Sequence, residues 1–252
     1  MQVTALGTGG WMPAQNRAGL STMVESKGQL LIFELGTGIS RLLEPNLREN
    51  IFAKYDEIHV ILSHFHLDHV IGLSYLPAVV GDKPVHLYSP GRLLGLSTKA
   101  CLERLFTAPF FSSPPSSWEW LVSVSELSEG VQFIGEVELR VRMQDHIGGS
   151  LGFVVDNKFA QITDTTVDPL TVDFIQGCQL LFHECWYLAE AEKSDHAHLP
   201  GVVSIAAEAG VSKAGLIHLN PQIPDERYVD EIRKISSEAE ICVVKDLEVF
   251  NL

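Results

Sequence analysis

Ser63-His64-Phe65-His66-Leu67-Asp68-His69 sets three histidines and one aspartate within six residues, directly after the apolar run Ile58-His59-Val60-Ile61-Leu62. An apolar run of that length reads as a buried strand, so the cluster falls where a strand ends and a loop begins. On extended backbone, residues two apart project to the same side, which pairs His64 with His66. Asp68 and His69 lie past the strand end, where the chain can curl back toward that side. Imidazole nitrogens with a carboxylate are the ligand set of zinc and its borderline neighbours, and they leave positions open for water. Four such groups are poorly tolerated as plain core. The segment predicts a metal site.

The rest of the composition frames that site. The chain has 252 residues, 46% of them hydrophobic, enough for one large core, and no Pro/Gly/Ser linker or repeat divides it. A single domain spanning 1–252 is expected. No uncharged apolar run reaches the ~18 residues of a membrane span. Met1 to Gly7 opens as a strand, without the features of a signal peptide. Cys101, Cys178, Cys185 and Cys242 are widely spaced and read as reduced thiols, which points to a cytoplasmic setting. With 18 basic and 32 acidic residues, the formal charge of −14 argues against a broad footprint for long nucleic acid. It does not oppose a small anion, because divalent ions reverse the field inside a pocket.

Strands are expected at Val3–Leu6, Ser21–Glu25, Gln29–Glu34, Val85–Tyr88, Val131–Ile134, Glu136–Met143, Leu151–Val155, Phe159–Ile162, Leu180–Phe182, Ala214–Ile217 and Ile241–Val244. Helices are expected at Gly38–Glu49, Ile71–Val80, Arg92–Phe106, Pro169–Gln176, Gly201–Glu208 and Glu226–Ser236. Interleaved strands and helices with polar residues at strand ends imply an α/β protein, two sheets with helices outside. His146, Asp164 and His218 each end an apolar run and are candidate partners for the cluster. The segment from Pro109 to Trp120, rich in Phe, Pro and Trp, is read either as an apolar wall that stacks a base or as a loop packed on its own core. Arg17 is read either as a bidentate phosphate holder or as a surface salt bridge. His59 and His86 lie on strands outside the ligand pattern and read as structural or solvated.

The His-x-His-x-Asp-His cluster, followed by His146, Asp164 and His218 in that order, resembles the metallo-β-lactamase superfamily over nearly the whole chain. The opening Leu6-Gly7-Thr8-Gly9-Gly10, with Pro13, Arg17 and Ser21, is similar to its ribonuclease Z and small phosphodiesterase branch. His183-Glu184-Cys185-Trp186 resembles the branch's His-Glu-Ala-Thr motif. His196-Ala197-His198 sits where the branch carries a histidine near the substrate phosphate. Glu34 stands where the superfamily usually has an aspartate that orients a ligand histidine.

The resemblance implies a four-layer αββα sandwich and two divalent ions, zinc with manganese as the alternative. His64, His66 and His146 would hold one ion, Asp68, His69 and His218 the other, and Asp164 would bridge them. It implies a metal-dependent hydrolase with a shared hydroxide as nucleophile. His196 would donate the proton, with His198 second in line and Glu184 orienting it. Asp68 counts among the catalytic residues as well as the ligands. Only seventeen residues separate His146 from Asp164, where ribonuclease Z usually inserts a tRNA-clamping arm. A small cyclic phosphodiester is therefore the expected substrate. Cleavage of tRNA 3′ ends, lactone or thioester hydrolysis, and metal sensing without turnover are the alternatives. The branch also suggests a homodimer.

Overall fold

A computed structural model of the chain describes residues 1–14, 16–190 and 194–252. The chain begins with β1 (Gln2–Gly7), β2 (Ser21–Ser26), β3 (Gln29–Phe33), α1 (Pro45–Phe52), β4 (Ile58–Ile61), α2 (Leu67–Val70) and α3 (Leu76–Val80). It continues through β5 (Val85–Ser89), α4 (Thr98–Leu105), β6 (Leu121–Glu126), β7 (Gly130–Ile134), β8 (Val137–Gln144), β9 (Ser150–Val155) and β10 (Phe159–Ile162). Last come α5 (Leu170–Ile175), β11 (Leu180–Glu184), α6 (Leu199–Glu208), β12 (Lys213–Ile217), α7 (Asp225–Ile232), β13 (Glu240–Val243) and β14 (Val249–Asn251).

Among the described residues these strands form two seven-stranded sheets, ordered β14-β1-β2-β3-β4-β5-β6 and β13-β12-β11-β10-β9-β8-β7. Each sheet is antiparallel on one side and parallel on the other. In the first, β3, β4, β5 and β6 run parallel; in the second, β10, β11, β12 and β13 do.

Period-two burial explains the layering. On β3, Leu31 and Phe33 face the other sheet and pack with Phe153 and Phe159, whereas Leu30 and Ile32 face outward. That outer face carries Ile51, Leu76, Val79 and Leu102 from α1, α3 and α4. The outer face of the second sheet carries Ile205 and Ala206 of α6 with Ile175 of α5, and Tyr228 of α7 packs beside them. Both faces of each sheet are thus covered, and the result is the expected αββα sandwich.

Three local expectations are corrected. The helix expected over Gly38–Glu49 is a 3₁₀ segment, Thr37–Leu43, followed by α1, with Pro45 opening the new helix. The helix expected from Arg92 begins only at Thr98, where Ser97 Oγ accepts the Ala100 N–H at 3.2 Å. Strands β6 and β14, both at edges of the first sheet, were not expected at all.

Candidate metal centre

The site residues come from the carboxyl ends of strands in both sheets. Glu34 follows β3, the Ser63–His69 segment follows β4, and Gly10 with Trp11 lies beyond β1. From the second sheet come His146 after β8, Asp164 after β10, Glu184 at the end of β11 and His218 after β12. Glu34, Asp164 and His218 sit at φ +62°, +48° and +47°. A left-handed residue directly past a strand turns the chain sharply and leaves its side chain at the sheet edge. Such conformations cost about 1–3 kcal/mol each and persist where the surroundings hold them. After His66 the one-turn helix α2 brings Asp68 and His69 back over the strand end, and the Leu35 N–H holds the His69 carbonyl at 2.9 Å.

These residues converge. Asp164 Oδ2 lies 3.6 Å from His64 Nε2 and 3.5 Å from His146 Nε2, while His146 Nε2 is 3.2 Å from His66 Nδ1. The other oxygen, Oδ1, lies 3.2 Å from His69 Nε2 and 3.3 Å from His218 Nε2. Asp68 Oδ2 is 3.3 Å from each of those same two nitrogens. One carboxylate thus faces two clusters of donors, one through each oxygen.

The donor set fits divalent metal. Donors at about 2.0–2.1 Å around one tetrahedral ion stand roughly 3.3–3.4 Å from one another, within the 3.2–3.6 Å range of the spacings found. His64 Nε2 and His69 Nε2 are fully buried and lack a hydrogen-bond partner among the described residues. Burial would raise both carboxyls, yet the surrounding histidines, His69 first for Asp68 and His218 first for Asp164, hold them well below the usual carboxylate range. Both carboxylates are therefore ionised acceptors.

The far nitrogens of the histidines are fixed by neighbours. His64 Nδ1 meets Ser63 Oγ at 2.9 Å, His69 Nδ1 meets Glu34 Oε2 at 3.0 Å, and His146 Nδ1 meets the Asp195 carbonyl at 3.2 Å. Such contacts set the tautomer that leaves Nε2 free toward the centre. Glu34 therefore stands where the resemblance expects aspartate, and its second oxygen accepts the Ser63 N–H at 3.0 Å. His218 is held differently. Gly10 packs on its ring so closely that a Cβ there would stand 2.8 Å from His218 Nδ1. The glycine-rich opening thus makes room for a ligand.

His196 lies beside Glu184: its Nδ1 is 2.9 Å from Glu184 Oε1, which also accepts the Thr165 N–H at 2.7 Å. The His196 ring stacks on Trp186 at 5.1 Å and on His218 at 5.6 Å. Burial alone would lower His196; the Glu184 hydrogen bond and charge outweigh it and raise it to about 9. His198 does not join them. Its Nδ1 accepts the Gly201 N–H at 3.1 Å and caps α6. His183 is buried on the same strand as Glu184, its Nδ1 against the Glu184 carbonyl at 2.7 Å.

Packing bears on three further expectations. Arg17 is 7% exposed and grips Asp225 through Nε at 2.9 Å and through the NH2 nitrogen at 2.6 Å, while its NH1 meets Thr8 Oγ1 and the Val244 carbonyl. It is a buried tie between chain segments, neither a phosphate holder nor a surface bridge. In the aromatic segment, Phe111 and Trp118 meet each other and Phe106 edge to face, and Trp120 stacks on Trp118, against the first sheet's outer core. The Phe111, Trp118 and Trp120 rings pack on the segment's own core, whereas Phe110 is exposed. His59 is structural, hydrogen-bonded to Gln29 at 2.9 Å and stacked on His86. Ser63, the Asp195 carbonyl, Gly10 and Trp186 were not anticipated from sequence.

Comparison with known proteins agrees with this architecture. Ribonuclease Z of Thermococcus sibiricus is 24% identical over 310 aligned positions, covering 100% of this chain and 96% of that protein. The metallo-β-lactamase fold protein YhfI from Bacillus subtilis superposes with a TM-score of 0.77 at 20% identity, covering 99% of this chain and 98% of its own. A diphosphatase of the PhnP family superposes with a TM-score of 0.72 at 18% identity, covering 100% and 97%. The sequence model of the anti-Pycsar protein Apyc1 matches residues 1–236. The chain therefore belongs to the anti-Pycsar protein Apyc1 family, in the ribonuclease Z branch of the metallo-β-lactamase superfamily of metal-dependent hydrolases.

Proposed function

We propose that this protein is a phosphodiesterase that uses two divalent ions, zinc with manganese as the alternative, to hydrolyse a small cyclic phosphodiester such as a cyclic nucleotide. The observation that carries the reading is the division of Asp164 between two donor clusters, with His196 stacked beside them on His218. His64, His66 and His146 would hold one ion, and Asp68, His69 and His218 the other. Bound there, the ions would supply Lewis acidity toward phosphoryl oxygens and a water acidic enough to attack near neutral pH.

The chain's own groups do the rest. Glu184 engages His196 Nδ1, so Nε2 is the nitrogen left to hand a proton to the leaving oxygen. Because Glu184 also holds the Thr165 N–H, it fixes the donor and the backbone beside Asp164 in one frame. Glu34 and Ser63 keep His69 and His64 from turning.

A small substrate is supported by the interval between His146 and Asp164. It is occupied by β9, a tight turn and β10, with no arm. The alignment with ribonuclease Z is longer than this chain, so that relative carries segments absent here. The charge of −14 points the same way. Cleavage of tRNA 3′ ends is the second reading, favoured by the names of the sequence relatives. A panel of cyclic nucleotides, linear phosphodiesters, precursor tRNA, lactones and thioesters, run with metal analysis, tests both. Turnover of cyclic nucleotides is expected. Efficient tRNA processing, or activity confined to lactones or thioesters, overturns the proposal.

A further inference from the structure

Trp186 belongs to neither donor cluster, yet its indole lies against two imidazoles of the centre. Its ring centroid stands 5.1 Å from that of His196 and 5.7 Å from that of His218, and the two imidazoles are 5.6 Å apart. We infer that Trp186 is a positioning residue: its indole keeps His196 out of the ligand set and so holds it as a proton donor. The donor half of this role rests on the phosphodiesterase reading, because the proton goes to the leaving oxygen of that reaction.

His196 has two competing roles within its reach. One nitrogen of His196, one of His218 and one oxygen of Asp164 lie within 4.8 Å of one another. Ligands of one ion stand closer than that limit, but a turn of the imidazole closes the difference. His196 would then be an extra ligand. A neutral imidazole has only two nitrogens, and Glu184 already engages Nδ1. With Nε2 taken by an ion, neither would be left to deliver a proton.

Glu184 alone does not decide between the two. A hydrogen bond to Nδ1 pins one corner of the ring and lets the rest turn about it. An aromatic face pins the plane as well. Trp186 lies 23° from parallel with His196, and His196 lies 22° from parallel with His218. Flat rings favour such stacked arrangements. An ion held by imidazole sits in the plane of the ring, and two stacked planes do not meet at one ion. The stack therefore leaves His196 beside the centre without admitting it.

The indole is itself held through its backbone. The Trp186 N–H donates to the carbonyl of Ala197, the residue after His196, at 3.0 Å. The Trp186 carbonyl accepts the Tyr228 hydroxyl at 3.1 Å. That hydroxyl in turn accepts the N–H of Asn220, two residues beyond His218, at 3.3 Å. Tyr228 is fully buried, so this junction is rigid. Trp186 is thus fastened to the segments that carry both histidines it touches. It stands at the last position of His183-Glu184-Cys185-Trp186, where the threonine of the similar His-Glu-Ala-Thr motif would offer no ring.

Visible spectra of the cobalt(II)-loaded protein read the ligand set without any substrate. They are compared for the wild type, His196→Ala, Trp186→Phe, Trp186→Leu, which fills the space without a flat face, and Trp186→Leu combined with His196→Ala. The wild type, His196→Ala and Trp186→Phe should share one spectrum. Trp186→Leu should shift it, and adding His196→Ala should restore it. In steady-state kinetics Trp186→Leu should lower kcat about tenfold for an alkyl leaving group and leave p-nitrophenolate release and KM nearly unchanged, with Trp186→Phe recovering most of the loss. A wild-type spectrum in Trp186→Leu, a shift that survives His196→Ala, a spectrum altered by His196→Ala alone, or equal losses for both leaving groups overturns the role. The expected spectra without phosphodiester turnover would remove the phosphodiesterase reading and still support the exclusion of His196 from the ligand set.

Discussion

Glu34 Oε2 lies 3.0 Å from His69 Nδ1, and the two side chains are wholly buried together at the end of β3. The other oxygen of Glu34 holds the Ser63 N–H, so one carboxylate braces both ends of the histidine-rich segment. The longer side chain lets a left-handed residue at φ +62° reach both partners. Glu34→Gln removes the charge, and Glu34→Asp shortens the reach. Both are expected to weaken metal binding about 10- to 100-fold, the usual effect of losing an orienting partner. Chelator competition measures it, and wild-type affinity in Glu34→Asp would show that the length is incidental.

His196→Ala should lower kcat by about 10²–10⁴, the usual contribution of a positioned proton donor, while the metal content stays at the wild-type value. The loss should be steep for an alkyl leaving group and shallow for p-nitrophenolate, which needs little protonation. Glu184→Gln should follow the same pattern with a smaller loss. Equal losses for both leaving groups would point to a structural role for the histidine.

Arg17→Ala is expected to destabilise the fold by about 1–3 kcal/mol, because the buried Val244 carbonyl and Thr8 Oγ1 lose their donor and the tie to the partly exposed Asp225 is lost. KM for phosphodiesters should stay within a factor of two. Urea denaturation beside steady-state kinetics reads both quantities; a raised KM at full stability would return Arg17 to the substrate.

Asp156 gives a pH prediction away from the centre. Burial would raise its carboxyl, but the Lys27 ammonium, the Glu138 N–H and Ser26 Oγ outweigh burial and lower it. A depressed carboxyl stabilises the fold above its unfolded-state value, near 3.9, and that contribution fades as pH falls through the lower folded-state value. Asp156→Asn should therefore cost roughly 1–3 kcal/mol at pH 7. Denaturant titrations of both proteins with chelator present should show the gap narrowing below about pH 4. A gap independent of pH would mean that the charge contributes nothing.

Much of this was legible along the chain, for a physical reason. The strands carrying Glu34, His64, Asp164 and His218 are buried on both faces, so they read as largely apolar runs, interrupted by His59 and Gln161, that end in polar residues. Leu121–Glu126 alternates with serine and leaves Val122 and Val124 exposed at an edge, and Val249–Asn251 is only three residues long. Neither builds a comparable signal. Gly10 acts through close backbone approach to His218 and Trp186 by stacking on His196 and His218, all distant in sequence, while Ser63 meets adjacent His64 through a hydroxyl that no periodicity marks. The Gly10 relationship exists only once the two sheets are stacked.

That stacking makes the metal centre a clasp. Asp68, His69 and their neighbours hang from one layer, whereas His146, Asp164 and His218 hang from the other. An ion shared across that seam would join two leaves of a book at their fore-edge. Withdrawing it should soften the whole rim in hydrogen exchange, while strands such as β9, buried between the leaves, keep their protection. Filling the proposed centre would fasten the rim of a sandwich whose core is closed by its own apolar packing.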